Sequence, residues 1–188
     1  MWKRTMWTAA VGLFYTLALA RAALVPNECQ ITKALNGKLL YDKRLMYMSD
    51  YFPLDYKLFV KHEEVLRFQN ITSLMNQGIP VKELRYLWGI INERVLVRMK
   101  AVLPGRHPTF SYITELLAIF KELLQIQQEA DNEIVLRIMK RLRLPQELTS
   151  QKPVRPKALM DNCFRVLFAL YEEECGLCNP RSEPFEDP

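Results

Sequence analysis

Four cysteines, one Asn-x-Thr sequon and two histidines are the residues of this 188-residue chain whose types and spacing can carry chemistry. Cys175-Gly176-Leu177-Cys178 has the spacing of a dithiol redox motif. Such a motif places its attacking thiol at a helix N-terminus, where the dipole stabilises thiolate. Here the pair follows a helical stripe and Glu172 to Glu174, whose charges disfavour a thiolate. Zinc would need further ligands, and His62 and His107 stand far off in sequence. An even cysteine count reads instead as structural pairing, and four cysteines allow three connectivities between which sequence does not choose. Asn70-Ile71-Thr72 is an acceptor for N-linked glycan if the chain is secreted. There is no Gly-x-Ser-x-Gly elbow, no phosphate-cradling glycine loop and no His-Glu-x-x-His, and His62-Glu63-Glu64 lies in a polar stretch. These residues point to no catalytic site, no metal and no cofactor.

The compartment follows from the N-terminus. Lys3 and Arg4 precede an apolar run from Thr8 to Ala20, and Ala18, Ala20 and Ala22 supply small-x-small cleavage sites. This is the layout of a secretory signal peptide over residues 1–22. The run is short of the ~20 residues that span a bilayer, and no later segment reaches that length. The expectation is a released, extracellular chain without membrane insertion, in a compartment where disulfides persist. Residues 23–171 then form one helical domain, and residues 172–188 an acidic, proline-containing tail. A composition of 49% hydrophobic and 25% charged residues excludes wholesale disorder. The net charge of +5 is unevenly spread: residues 23–171 hold 22 bases and 15 acids, and residues 172–188 one base and six acids. A basic body suits an acidic protein surface or an anionic polysaccharide. Lys140, Arg141 and Arg143 suit sulfated glycosaminoglycans or proteoglycans in particular. A secreted chain seldom meets nucleic acid, so none is expected.

Apolar periodicity supplies the elements that position these residues. Leu84, Leu87, Trp88, Ile91, Val95, Met99 and Val102 fall at helical steps between Gly78/Pro80 and Pro104-Gly105. The periodicity places Trp88 in the core. Ile113, Leu116, Leu117, Phe120, Leu123 and Leu124 form a second stripe, with Thr109 or Ser111 as its cap. Ile134, Val135, Ile138, Met139 and Leu142 form a shorter one, capped by Asp131 or Asn132 and stopped by Pro145. Leu159, Cys163, Val166, Leu167 and Leu170 make another. Ile31, Leu35, Leu39, Asp42 and Met46 suggest one more, interrupted by Asn36-Gly37. Tyr56–Val60 and Lys152–Pro156 are extended segments able to pair as a two-stranded ribbon. The spacing predicts an all-α, four-helix bundle with a long crossover from Tyr47 to Ile79.

Three segments carry a more specific likeness: Tyr51-Phe52-Pro53-Leu54-Asp55-Tyr56-Lys57, Glu83-Leu84-Arg85-Tyr86-Leu87-Trp88, and Val154-Arg155-Pro156-Lys157-Ala158-Leu159-Met160-Asp161-Asn162-Cys163-Phe164-Arg165-Val166. In order and spacing, over roughly residues 27–171, the chain resembles the interleukin-34 family. The resemblance implies a secreted short-chain helical cytokine, a homodimer, acting on the macrophage colony-stimulating factor receptor to support monocytes and macrophages. It also implies a Cys29–Cys163 disulfide joining the start of the first helix to the last. Cys175 and Cys178 can pair locally, bridge a dimer or stay free, with the local pair favoured. The Asn70 sequon matches a family position, and glycosylation there is the expectation. Arg94, Arg98 and Lys100 project off the apolar stripe of the 81–103 helix, Leu103 and Phe110 bracket its turn, and Lys38 matches the family near a turn of the first helix. The resemblance implies receptor contacts broadly around these helix ends, with plain solvated charge as the alternative for each. The C-terminus departs from the family pattern, since only Cys175 and Cys178 follow the last helix, where the family clusters several cysteines before a long tail.

Overall fold

Four of the five stripes become single helices and the N-terminal one is divided, and local chemistry at the chain's polar residues helps to set where the helices begin. A computed structural model describes residues 27–53, 55–145 and 148–177; the expected signal peptide (residues 1–22), Cys178 and residues 179–188 lie outside them. Helix α1 (Glu28–Lys38) opens at Asn27, whose side chain accepts from the Gln30 amide at 2.8 Å while Gln30 bonds back to the Asn27 amide. This reciprocal box satisfies two donors that the first turn leaves orphaned. The helix runs straight through Asn36-Gly37 and breaks at Leu39 and Leu40 instead, before a short α2 (Tyr41–Leu45) and a π turn over Met46–Asp50. The crossover then holds strand β1 (Leu58–Lys61), a 3-10 turn (His62–Glu64) and α3 (Phe68–Asn76). Helix α3 buries Ile71 fully and packs Leu74 and Met75 partly against the core, a stripe of barely two turns.

Helix α4 (Val81–Ala101) and α5 (Pro108–Ile126) follow. The cap of α5 is His107 rather than Thr109 or Ser111: its Nδ1 accepts from the Thr109 amide at 3.2 Å, and Pro108 occupies the first turn. Asn132 caps α6 (Glu133–Arg143) as expected, accepting from the Ile134 amide at 3.0 Å. Strand β2 (Gln151–Val154) pairs antiparallel with β1, Leu58 opposite Val154 and Lys61 opposite Gln151, which realises the expected ribbon. Helix α7 (Pro156–Cys175) continues past Tyr171 and stops at Gly176, whose left-handed φ of 56° glycine adopts without penalty.

Contacts between helix ends give the topology. Lys38, at the end of α1, pairs with Glu115 near the start of α5, while Gln127 beyond the end of α5 donates to Glu28 at the start of α1. Arg85, early in α4, donates to the Leu170 carbonyl late in α7 at 2.7 Å. The 102–107 turn joins α4 to α5 as an antiparallel pair. Thus α1 and α4 run one way and α5 and α7 the other, an up-up-down-down bundle with two long connections, the topology of helical cytokines. Trp88 is fully buried at its centre, 5.1 Å from the Phe120 ring and 5.8 Å from Tyr171, with its indole N–H on the Cys163 carbonyl. Gly89 lets α5 approach: a Cβ there would stand 2.8 Å from Leu124 Cδ2. Val102, read as part of the α4 stripe, falls just past the helix and is exposed.

The disulfide corrects the expected one. Cys29 bonds Cys175, with Cα atoms 5.1 Å apart and a separation of 146 positions in sequence. The helices joined are those expected, but the partner on α7 is different. Cys163 lies twelve residues earlier, about 18 Å along the helix axis, and points into the core as a buried free thiol. The start of α1 meets the end of α7, so of the two cysteines on α7 it is Cys175 that lies within reach. Its bond to Cys29 also excludes the local Cys175–Cys178 pair; Cys178 itself lies outside the described residues.

Burial also holds the Tyr112 and Tyr171 phenols well above their ordinary value near 10, and for Tyr171 the facing Glu28 carboxylate adds to the effect. Both stay protonated in the folded chain at a pH where the unfolded chain ionises. The stability they contribute is complete below about pH 10 and is lost as pH rises above it. In alkaline ultraviolet titration, part of the phenolate absorbance should appear only with the unfolding transition, and denaturant added near pH ~11 should release it.

Candidate functional site

The six expected contact residues divide into two groups. At the end of the bundle where α1 and α4 finish and α5 starts, Lys38 is half-exposed and ion-paired to Glu115, whose carboxyl it holds below the ordinary range by hydrogen bond and charge. The Tyr112 hydroxyl donates to the Lys38 carbonyl at 2.7 Å, which fixes the backbone there. Lys100 Nζ stands 4.8 Å from the Phe110 ring centroid, a cation–π contact across the α4–α5 turn. Leu103 and Phe110 are half-buried on either side of that turn, and Val97 and Val102 are exposed near it. Sequence reasoning missed both valines as surface.

This end is held from below by the crossover. The Tyr47 ring stacks on Tyr112 at 4.4 Å, and Thr109 Oγ1 donates to the Tyr47 carbonyl at 2.7 Å. His107 Nε2 lies 3.0 Å from the Tyr51 carbonyl. Since Nδ1 accepts from the Thr109 amide, Nε2 carries the proton and donates. The π turn, the start of α5 and the end of α1 therefore move as one, which suits a surface recognised by shape.

Arg94 and Arg98 stand elsewhere and face inward. Arg98 Nε and Nη2 both lie 3.0 Å from Glu64 Oε1, and Arg94 Nε lies 3.7 Å from the same oxygen. The Glu64 side chain is fully buried, and its second oxygen accepts from the Lys61 amide at 2.9 Å. Lys61 is buried too, its Nζ donating to the Leu142 carbonyl at 2.8 Å and to the Leu144 carbonyl. Arg94 Nη2 also donates to the Leu142 carbonyl, at 2.8 Å. Burial lowers the Lys61 ammonium pKa, and the Glu64 charge opposes that shift. These four side chains fasten the crossover and the C-terminus of α6 to α4. Lys61 and Glu64 left no signal in the apolar pattern, because a charged residue is read as exposed.

Asn70 is exposed in the first turn of α3. Its Oδ1 accepts from the Arg67 amide at 3.0 Å, leaving Nδ2, the atom that carries an N-linked glycan, without a hydrogen bond among the described residues. Lys140, Arg141 and Arg143 are exposed in the last turns of α6. Among the described residues no three His, Cys, Asp or Glu side chains gather as a metal site, and no helix is long and apolar enough to cross a membrane.

The model of the interleukin 34 family matches residues 22–179, a span that holds every helix described and all four cysteines. The chain belongs to the interleukin 34 family. That makes it a cytokine, and the family is one of signalling proteins rather than enzymes. The up-up-down-down bundle is the architecture the family name leads one to expect, and a cytokine family suggests secretion and action on a receptor.

Proposed function

We propose that this interleukin 34 protein is a secreted homodimer that binds and dimerises the macrophage colony-stimulating factor receptor, promoting survival, proliferation and differentiation of monocytes and macrophages. The observation that carries the reading is the family match over the whole helical body. A bundle pinned by Cys29–Cys175 adds support for secretion, because such bonds persist in oxidising compartments. A twofold dimer presents one surface twice, so two receptors are brought together by geometry and the ligand performs no chemistry. The surface best suited to the contact is the end of the bundle carrying Lys38, Lys100, Leu103 and Phe110, where cations flank apolar groups on a rigid base. Arg94 and Arg98 contribute indirectly, through the buried network they form with Glu64.

Light scattering of the secreted protein with the receptor ectodomain tests this reading. A complex of two ligands and two receptors is expected; a folded protein that does not bind overturns it. Lys38→Glu combined with Lys100→Glu should weaken binding about tenfold or more, with little change in melting temperature. Asn70→Gln should lower the mass of the secreted chain by one glycan without preventing its folding.

A further inference from the structure

We propose that the outward face of α6, with the exposed Leu144 and Leu148 beyond it, is a peripheral docking surface for membranes containing anionic phospholipid. Helix α6 buries Val135, Met139 and Leu142 against the bundle and leaves Arg137, Lys140, Arg141 and Arg143 exposed. From Leu136 to Leu144 the chain holds these four cations and no acid. Glu63 lies 3.8 Å from Arg141, Glu133 starts the helix a turn above the strip, and Glu147 follows it in sequence. Arg137, Lys140 and Arg143 make no ion pair among the described residues.

Cations in the last turns of a helix are accounted for by its dipole. The apolar residues among them are not. Leu136 is 45% exposed, Leu144 40% and Leu148 73%, the last being the most exposed large apolar residue described. Leu136 and Leu144 stand one turn to either side of Lys140, so these two leucines and the cations share one exposed strip. That mixture fits a planar interface, where cations meet headgroup phosphates and carboxylates while leucines enter the boundary with the acyl chains. A sulfated glycan would engage the cations and leave the leucines in water. The strip is also held firmly, since Lys61 and Arg94 bind the carbonyl of Leu142 from within. The contact is peripheral and independent of the receptor reading, because no receptor is needed to observe it.

Flotation of the full secreted protein with vesicles tests the proposal, comparing phosphatidylcholine alone with phosphatidylcholine containing phosphatidylserine. Binding to the anionic vesicles should exceed binding to the neutral ones by about tenfold or more and fall with salt. Arg137→Gln with Lys140→Gln and Arg143→Gln should bring it to the neutral level. Leu144→Ser with Leu148→Ser should reduce it several-fold while retention on heparin stays unchanged. Equal binding to both vesicle types overturns the proposal. So does a leucine variant that binds anionic vesicles as well as the parent, since the surface would then be purely ionic and suited to a glycan. All the substituted side chains are exposed, and a thermal melt checks that each variant is folded.

Discussion

Replacing Cys175 by serine should lower the melting temperature by about 10 °C or more, whereas replacing Cys163 by alanine should shift it by only a few degrees. The Cys29–Cys175 bond closes a loop of 146 residues. In the chain-entropy view, a loop of that size withdraws on the order of 4–5 kcal/mol of freedom from the unfolded chain, and native disulfides typically contribute about 2–5 kcal/mol. For a domain of this length each kcal/mol corresponds to about 2–4 °C. Cys163 has no such leverage. It is a small buried side chain under Trp88, and its loss to alanine costs a little packing, on the order of 1 kcal/mol. Burial also pushes its thiol pKa up, so it should resist alkylation in the folded protein. Had the bond been Cys29–Cys163, the two variants would rank the other way. Peptide mapping without reduction, run beside the melts, reads the pairing directly.

Glu64→Ala is the second substitution with a large expected effect, a loss of about 2–4 kcal/mol. The fully buried carboxylate is the counter-charge for Arg98 at 3.0 Å and lies 3.7 Å from Arg94, and it accepts the Lys61 amide. Its removal leaves an orphaned amide and two partly buried guanidinium groups without that partner. The arginines retain some access to water, which keeps the cost below that of a fully enclosed charge. Glu64→Gln keeps the shape and one acceptor, so it should fall between alanine and the parent in urea unfolding. Equal stability of all three would mean that the network contributes nothing net. Because the same side chains hold the end of α6, the alanine variant should also raise amide exchange around Leu142 and Leu144.

The elements that bury a long face were legible in the sequence, and a short one was missed. The α4 and α5 stripes, a cap at Asp131 or Asn132 and a ribbon between residues 56–60 and 152–156 were legible from periodicity, capping chemistry and β-prone or proline-bounded segments; the chain settles on Asn132 and on 58–61 with 151–154. Helix α3 was missed although Phe68, Ile71, Leu74 and Met75 fall at helical steps, because that stripe covers barely two turns and the segment was read as polar crossover. The break after α1 was misplaced because Asn36-Gly37 suggests a turn, yet Leu35 and Leu39 are both wholly buried and hold the helix through it. The cysteine partner was misread even though a clue lay in the stripe itself. Cys163 falls in line with Leu159, Val166 and Leu170, the face that packs inward, while Cys175 falls at the helix end that meets the start of α1. Arg94 and Arg98 were taken as surface because helical spacing places a side chain off the apolar stripe without revealing that the crossover passes over it.

Cys29 and Cys175 stand at the two extremities of the helical body, so their bond makes that body a covalent ring. Every described residue except Asn27, Glu28, Gly176 and Leu177 is a bead on that ring or forms its clasp. A trypsin-like protease that cuts after Arg143, exposed at the end of α6, opens the ring without releasing either part. The product runs as one species before reduction and as two after it, with α7 and β2 still tethered to α1. One cut leaves a single covalent molecule; two are needed to free a piece.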